Sequence, residues 1–404
     1  MRSRKPEAGS RKPGAASRKP EAGSQKPEAA EAGSRKPEAG KAGSRIMDDL
    51  VLVTGGSGSL GGPLLESLAR GGVPVVALAR RAPAEAGAVQ GDIERAGLGL
   101  NSDTRRALQR RITSIVHAAA LTRFDATLEA ARAVNVDGTR HLLDFAAGCP
   151  RLRRVTLLST VYVAGKRTGT VLEEELDHDR GFVNAYEQSK HEAERLARAA
   201  MSRLPIMIVR LSTIVGAHES GAIRQPAAIH HAMRFLYHSL LPMMPGTDAS
   251  PVDLIATDYA VAALSHLAGE GFLPGHTLHV CAADDAPREA ELIDLVVEAF
   301  MRYRPAWRRR AIEKPAIVEL KTFELFRQSV DAVADHALRA SVAVLAPFAP
   351  QLAYPKTFDD PQCRAVMLAA GIERPPVRET VMNVVRYLIE NNWGQPSGIE
   401  RVPS

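Results

Sequence analysis

The stretch Leu50-Val51-Leu52-Val53-Thr54-Gly55-Gly56-Ser57-Gly58-Ser59-Leu60-Gly61 limits the folds open to this chain more than any other. A short aliphatic run passes directly into glycines at 55, 58 and 61, and Leu64, Leu65 and Leu68 then recur at helical period. The segment therefore reads as strand, tight turn and helix. The spacing has a physical reason: Gly55 permits the turn, Gly58 lets main chain approach a pyrophosphate, and Gly61 allows the helix to lie close to the strand. The start of the helix adds unpaired N–H groups and a field that favours negative charge. Such a βα unit implies an α/β fold with a phosphate-bearing ligand at the carboxyl edge of a parallel sheet.

Val73–Ala79 reads as a second buried strand, ending in Arg80-Arg81. In a dinucleotide-binding sheet an acid at this strand end holds the ribose hydroxyls of NAD, whereas an arginine suits the extra phosphate of NADP by charge and fork geometry. Arg80 thus favours NADP(H) over NAD(H), against the plainer alternative of a solvated basic pair closing a strand. Val89-Gln90-Gly91-Asp92-Ile93 is expected as a short third strand, with Asp92 placed either to accept the adenine amino group or to cap the next turn. Arg111–Ala120 reads as the fourth, and the small Ala118 and Ala119 let its end approach the cofactor. His117, inside that apolar run, reads as a packed structural histidine. Asn135 opens an amphipathic helix through Leu142, Leu143 and Phe145, where its amide can tie the edge of the site to neighbouring backbone. Pro205–Arg210 and Leu278–Val280 are expected as later strands.

Arg154–Thr160, the fifth expected strand, delivers Ser159 and Thr160 to the carboxyl edge of the sheet. Tyr186 and Lys190 follow, four apart and so on one side of a helix that runs on through His191–Arg203. An ammonium beside the phenol would bring its pKa down from about 10 toward neutral pH. The tyrosine could then give a proton to a carbonyl oxygen as hydride reaches carbon, or remove one from an alcohol in reverse. Thr160, with Ser159 assisting, would hold the same oxygen. A lone Tyr-x-x-x-Lys says little; in order behind a glycine turn and a hydroxyl-bearing strand end it says much more.

Taken together, TGGSGSLG at 54–61, VHAAA at 116–120, NVDGT at 135–139, LLST at 157–160 and YEQSK at 186–190 resemble the extended short-chain dehydrogenase/reductase family, over about residues 48–280 and more weakly to the end. The chain is most similar to that family's thioester-reductase and fatty-acyl-CoA-reductase branch, which has a male-sterility-type NAD-binding domain. Gly91-Asp92-Ile93 followed by Leu98-Gly99-Leu100, Asn184–Lys190 with Ala193-Glu194 behind it, Val209–Gly216 and Val252–Tyr259 carry that likeness. The resemblance implies Thr160, Tyr186 and Lys190 as catalytic residues, with Lys190 also on the nicotinamide ribose. It implies Gly55, Ser57, Gly58, Ser59, Leu60 and Gly61 around the pyrophosphate, Arg80 on the 2′-phosphate, and Asp92 and Ile93 beside the adenine. Leu211 departs from the branch, which commonly has proline after the arginine; losing that fixed backbone would loosen the nicotinamide pocket.

The implied fold is a Rossmann-type doubly wound parallel sheet over residues 47–280, with 217–251 contributing to the substrate lobe. A smaller, mainly helical C-terminal lobe over 281–404 would cap the substrate. Residues 1–46 read as a disordered leader: the unit RKPEAGS at 4–10 recurs with small changes, and apart from Met1 no large apolar side chain occurs before Ile46. The formal charge of +6 resides there, since residues 1–46 carry twelve Lys/Arg against five Glu and leave the remainder at −1. The folded part therefore gives no support for nucleic-acid binding. Met47, three residues before the first strand, is an alternative start, which the mass of the native protein would decide.

Cys149, Cys281 and Cys363 are too scattered for a disulfide framework or a metal knuckle, which favours a reducing, cytoplasmic setting. No run of eighteen apolar residues offers a membrane span, and no secretion signal is evident. His230-His231 lacks a third ligand, so no metal site is expected. The Met- and Leu-rich segment His218–Pro251 suits either an apolar wall over a greasy substrate or the core of a small lobe. Ala290–Tyr303, Pro315–His336 and Arg378–Asn391 have helical periodicity. Arg304–Arg310 is a basic cluster suited to a coenzyme A or carrier phosphate, or to a solvated turn. Leu338–Pro350 is apolar and too short to span a bilayer, and fits an acyl channel or a membrane contact.

The leading expectation is an NADPH-dependent reduction of an acyl thioester, on coenzyme A or an acyl carrier protein, to aldehyde or alcohol. The same residues would serve a hydrophobic ketone or secondary alcohol of the hydroxysteroid or dihydroflavonol type, or a nucleotide-sugar epimerase. A non-catalytic NADP-binding sensor or scaffold is a third class, against which the presence of both Tyr186 and Lys190 speaks.

Overall fold

The computed structural model describes residues 50–81, 87–309, 314–332 and 336–394. The leader, Met47 and Arg310 of the basic cluster lie outside them. Seven strands form one parallel sheet: β1 (Leu50–Thr54), β2 (Val75–Ala79), β3 (Ala88–Gln90), β4 (Ile112–His117), β5 (Arg154–Thr160), β7 (Ile206–Leu211) and β11 (Thr277–Val280). Their spatial order is β11-β7-β5-β4-β1-β2-β3, the order that reverses direction beside β1 in a doubly wound fold. Alternation sends Val51 and Val53 to one face, where they meet Leu64 and Leu68 of α1 (Gly61–Arg70), and Leu52 to the other. On that second face lie α2 (Ser102–Arg111), α4 (Gly138–Ala147) and α5 (Ala185–Ala200), through Leu108, Leu142 and Ala197.

Local chemistry fixes several helix starts. Asn101 accepts from the amides of Asp103 and Thr104 before α2. Thr127 accepts from Ala130 before α3 (Leu128–Arg132), and Asn184 accepts from Glu187 at 3.1 Å before α5. Asn135 does not open its helix. The chain is helical from Leu128, and Asn135 sits in a wide turn, Ala133–Asp137, that joins α3 to α4; the Thr127 cap starts the helix earlier than the apolar period alone suggests.

Three short parallel pairs lie outside the main sheet: β8 (Thr213–Gly216) with β10 (Leu254–Ala256), β9 (Met243–Pro245) with β12 (Ala316–Val318), and β6 (Gly169–Val171) with β13 (Lys356–Phe358). Around them are α6 (Ala228–Tyr237), α7 (Thr257–Leu267), α8 (Glu289–Tyr303), α9 (Leu320–Ala332), α10 (His336–Leu345), α11 (Pro361–Ala369) and α12 (Val377–Glu390). Within the expected helix Pro315–His336 the described residues form the strand Ala316–Val318 and the helix Leu320–Ala332, and His336 begins another helix. Ala316–Val318 is drawn out beside β9, where hydrogen bonds to a neighbouring strand replace helical ones.

The Met-rich segment joins a lobe core: Met233, Leu236 and Met244 are buried with Val296, Phe300, Trp307, Val381 and Val385. Trp307 stacks on Tyr237 and gives its indole N–H to the Tyr237 carbonyl at 3.0 Å. His230 is held by the Ala227 amide and the Val215 carbonyl, a structural role. Among the described residues no helix is long and apolar enough to cross a membrane.

Candidate active site

Where β1 ends, Gly55 has φ +74°, and a Cβ there would stand 2.6 Å from the Ala119 nitrogen and 2.7 Å from the Ala118 carbonyl carbon. Only glycine allows β1 and the end of β4 to meet so closely. A Cβ on Gly61 would fall 2.1 Å from the Gly55 carbonyl oxygen, so this glycine lets α1 close on the turn. Ser57, Gly58 and Ser59 are exposed at its mouth. Helix α1 begins with no side-chain cap and no acid in its first turn. Uncapped N–H groups, close backbone and no competing carboxylate fit a pyrophosphate.

The cradle is braced from below. Thr139 gives its hydroxyl hydrogen to the Asn135 carbonyl, so it accepts from Nε2–H of His117 at 3.2 Å. Nδ1 of His117 then accepts from the Thr54 hydroxyl at 2.7 Å, and the Thr54 oxygen accepts from the Ala119 amide. Burial pushes His117 down to about 3, and it stays a neutral structural ring. The Asn135 amide accepts from Leu121 N–H and donates to the Leu121 carbonyl and to Ser189, tying the strand-end loop to α5 as its sequence context suggested.

Arg80 stands exposed at the end of β2, with a guanidinium nitrogen 3.6 Å from Glu94. Asp92 caps the next turn by accepting from the Glu94 amide at 3.0 Å, and Ile93 is buried beside Gly138.

Strand β5 brings Thr160 to the sheet edge, where its hydroxyl meets the Tyr186 phenol and lowers the phenol's pKa. Burial acts the other way and wins, holding Tyr186 up at about 12. Lys190 is buried and gives its ammonium to the Leu158 carbonyl at 2.7 Å; burial draws it down to about 8. The expectation that this ammonium brings the phenol down is not met in this conformation, because Lys190 turns toward the β5 backbone. Ser159 is a correction. Neighbouring residues of a strand face opposite sides, and Ser159 donates to Glu194 at 2.9 Å in the interior, away from Thr160 and Tyr186.

Behind Ser159 lies a fully buried ion pair. The Arg210 guanidinium donates to Glu194 at 2.6 Å, to the carbonyls of Glu173 and Glu175, and to Nε2 of His279. His279 in turn gives Nδ1–H to the Asp359 carbonyl. Leu211, where the branch commonly has proline, is held between Thr160 of β5 and Val280 of β11. Ladder pairing fixes the backbone there in place of a proline ring.

Sequence reasoning missed four neighbours of the tyrosine. Tyr162 shares a 2.7 Å hydrogen bond with Thr213. Phe124 packs edge-on against Tyr186, with centroids 5.5 Å apart, and Phe348 stacks on Phe124 at 6.5 Å. Glu187 is buried next to Tyr186 and accepts from the Val183 amide at 2.9 Å. Phe124, only four residues past VHAAA, could have been found from the motif; Phe348 had no such signal.

A family profile described as male sterility protein matches residues 81–264. Glycine betaine reductase ATRR of Emericella nidulans is 28% identical over 211 residues, 51% of this chain and 16% of that protein. Fatty acyl-CoA reductase wat of Drosophila melanogaster is 26% identical over 152 residues, 31% of this chain and 29% of that protein. The chain thus spans less than a third of either relative. Among solved structures, the terminal R domain from the myxalamid PKS-NRPS biosynthetic pathway shares the fold, with a TM-score of 0.72 and 24% identity, over 85% of this chain and 91% of that one. With the glycine cradle and the order of motifs, these findings show that residues 81–264, just under half of the chain, resemble the male-sterility-type NAD-binding domain of extended short-chain dehydrogenases/reductases. The likeness is to the thioester-reductase and fatty-acyl-CoA-reductase branch of that family.

Proposed function

We propose that this chain is an NADPH-dependent reductase of acyl thioesters that uses Thr160, Tyr186 and Lys190. The observation that carries the reading is the placing of Thr160 at the end of β5 and Tyr186 in the first turn of α5, on strand and helix ends beside a cradle fit for a pyrophosphate. The exposed turn Ser57–Ser59 and the start of α1 would hold the pyrophosphate, Arg80 the 2′-phosphate and Lys190 the nicotinamide ribose. Bound there, NADPH supplies the hydride.

Thr160 and Tyr186 would donate hydrogen bonds to the thioester oxygen as hydride adds to its carbon and negative charge gathers on oxygen. Tyr186, with a pKa of about 12, keeps its proton at neutral pH and is ready to donate. Collapse of the tetrahedral adduct breaks the carbon–sulfur bond and leaves an aldehyde and a thiolate, which takes a proton from solvent. A second hydride with a proton from Tyr186 would give the alcohol. The relatives' names, an acyl-CoA reductase and a terminal reductase domain of an assembly line, support coenzyme A or a carrier protein as the thiol. Segment 217–251 and residues 281–404 would form the substrate lobe.

The test is NADPH oxidation against acyl-CoAs, ketones and UDP-sugars, with free thiol measured in parallel. Thiol release coupled to NADPH loss supports the reading, one thiol per NADPH where the product is aldehyde and one per two NADPH where it is alcohol. Turnover of ketones with no thiol release would refute it, as would full activity in Tyr186→Phe.

A further inference from the structure

Any carbonyl oxygen within about 3 Å of the Tyr186 phenol places the first carbons of its substituent next to whatever flanks that ring. One flank is aromatic. Phe124 meets Tyr186 edge to face and Phe348 stacks on Phe124. Both phenylalanines are half-buried, and Phe348 also packs against the core of the lobe. They come from chain segments more than two hundred residues apart.

Phe348 is held in place with some care. Asn184, which caps the catalytic helix, gives its amide to the Pro347 carbonyl at 3.3 Å. Phe348 accepts from the Gln351 amide at 2.9 Å. The Gln351 side chain donates to Glu187, the residue after Tyr186, and accepts from Lys356 at 2.7 Å. Glu187 is only 1% exposed. Its charge pushes the Tyr186 phenol upward, so it does not ease ionisation of that phenol. Its partners show another use: it fastens the turn that carries Phe348 to the first turn of α5.

We propose that Phe124 and Phe348 form the specificity wall of the site, taking the first carbons of an unbranched aliphatic or aromatic acyl group and excluding short or charged ones. Glu187 fastens the turn that carries Phe348 through Gln351. The proposal rests on the reading of the site as a carbonyl reductase and adds the substrate class. Apolar chain laid on two rings is removed from water, and each further methylene within reach adds to the discrimination. A polar group there would lose its hydration and meet no partner on either ring.

The experiment measures kcat/KM for acetyl-, hexanoyl- and decanoyl-CoA and for the matching aldehydes, in the wild type, Phe348→Ala, Phe124→Ala and Phe348→Leu. The wild type should favour the longer members. Phe348→Ala and Phe124→Ala should each lower the decanoyl-to-acetyl ratio about tenfold, mainly through KM, with NADPH affinity retained. Phe348→Leu, which keeps apolar bulk if the alanine variant fails to fold, should fall between. A chain-length ratio unchanged within about twofold in the folded variants overturns the wall while leaving thioester reduction intact. Reduction of aldehydes alone overturns the thioester reading, and the wall is then judged on the aldehyde series. Reduction of neither series overturns both.

Discussion

The Lys190 ammonium stands 2.7 Å from the Leu158 carbonyl, two residues before Thr160 on the same strand. This bond uses one of its three donors, and burial holds the ammonium down to about 8. Below that pH it is an ammonium, and above it a neutral amine. If its charge supports reduction, kcat/KM for thioester or aldehyde should fall as pH rises through about 8. Lys190→Met should lose about two to four orders of magnitude and should lose this alkaline limb. A limb that persists unchanged in Lys190→Met would assign it to another group.

Among the described residues Arg80 has one weak ion-pair partner, Glu94 at 3.6 Å, and is largely exposed. It is thus free to turn to a phosphate with little loss. Arg80→Ala should raise KM for NADPH about tenfold and leave KM for NADH nearly unchanged, since only the former carries the 2′-phosphate. Initial rates with both cofactors check this. Equal losses would mean that Arg80 does not read that phosphate.

The Arg210–Glu194 pair is 0% exposed on both sides, and removing one partner strands a buried charge. Arg210→Met should cost about 3–5 kcal/mol, read from urea denaturation, because Glu194 would retain only Ser159 and Arg198. The double variant Arg210→Met with Glu194→Leu should recover much of that loss, since no lone carboxylate remains. Additive losses would show that the two side chains act independently.

How much of this was legible beforehand depended on how local the determining contacts are. The glycine cradle, the strand end at Thr160 and the Tyr186–Lys190 pair each follow from a few consecutive residues, and their places on the sheet could be read directly. Ser159 was misplaced even though alternation along β5 was available to turn it inward. The network joining Arg210 and His279 to Glu194 and Asp359 could not be read in sequence, because it depends on the parallel-sheet crossovers from β5 to β7 and from β7 to β11 and on the return of the C-terminal segment. Phe348 lies beyond any periodicity argument for the same reason. The Leu338–Pro350 run was recognisably apolar, and only the folded chain stacks its Phe348 on Phe124, which in turn meets Tyr186.

Glu289, at the start of α8, is 3% exposed, and neither carboxyl oxygen has a hydrogen-bond partner. It lies so close to Gly246 that a Cβ on that residue would stand 2.0 Å from Oε2. Burial, and then the like charge of Asp248, push it up to about 8 from an unfolded value of 4.5. Because the folded pKa is the higher one, folding takes up a proton between these values. The stabilisation is complete below about 4.5, declines as pH rises toward 8, and is gone above it. Glu289→Gln resembles the protonated acid in shape and cannot ionise. It should leave the urea midpoint nearly unchanged at pH 4 and raise stability at pH 9 by about 1–3 kcal/mol. The same shift at both pH values would mean that packing around Gly246, and not the titration of Glu289, sets the difference.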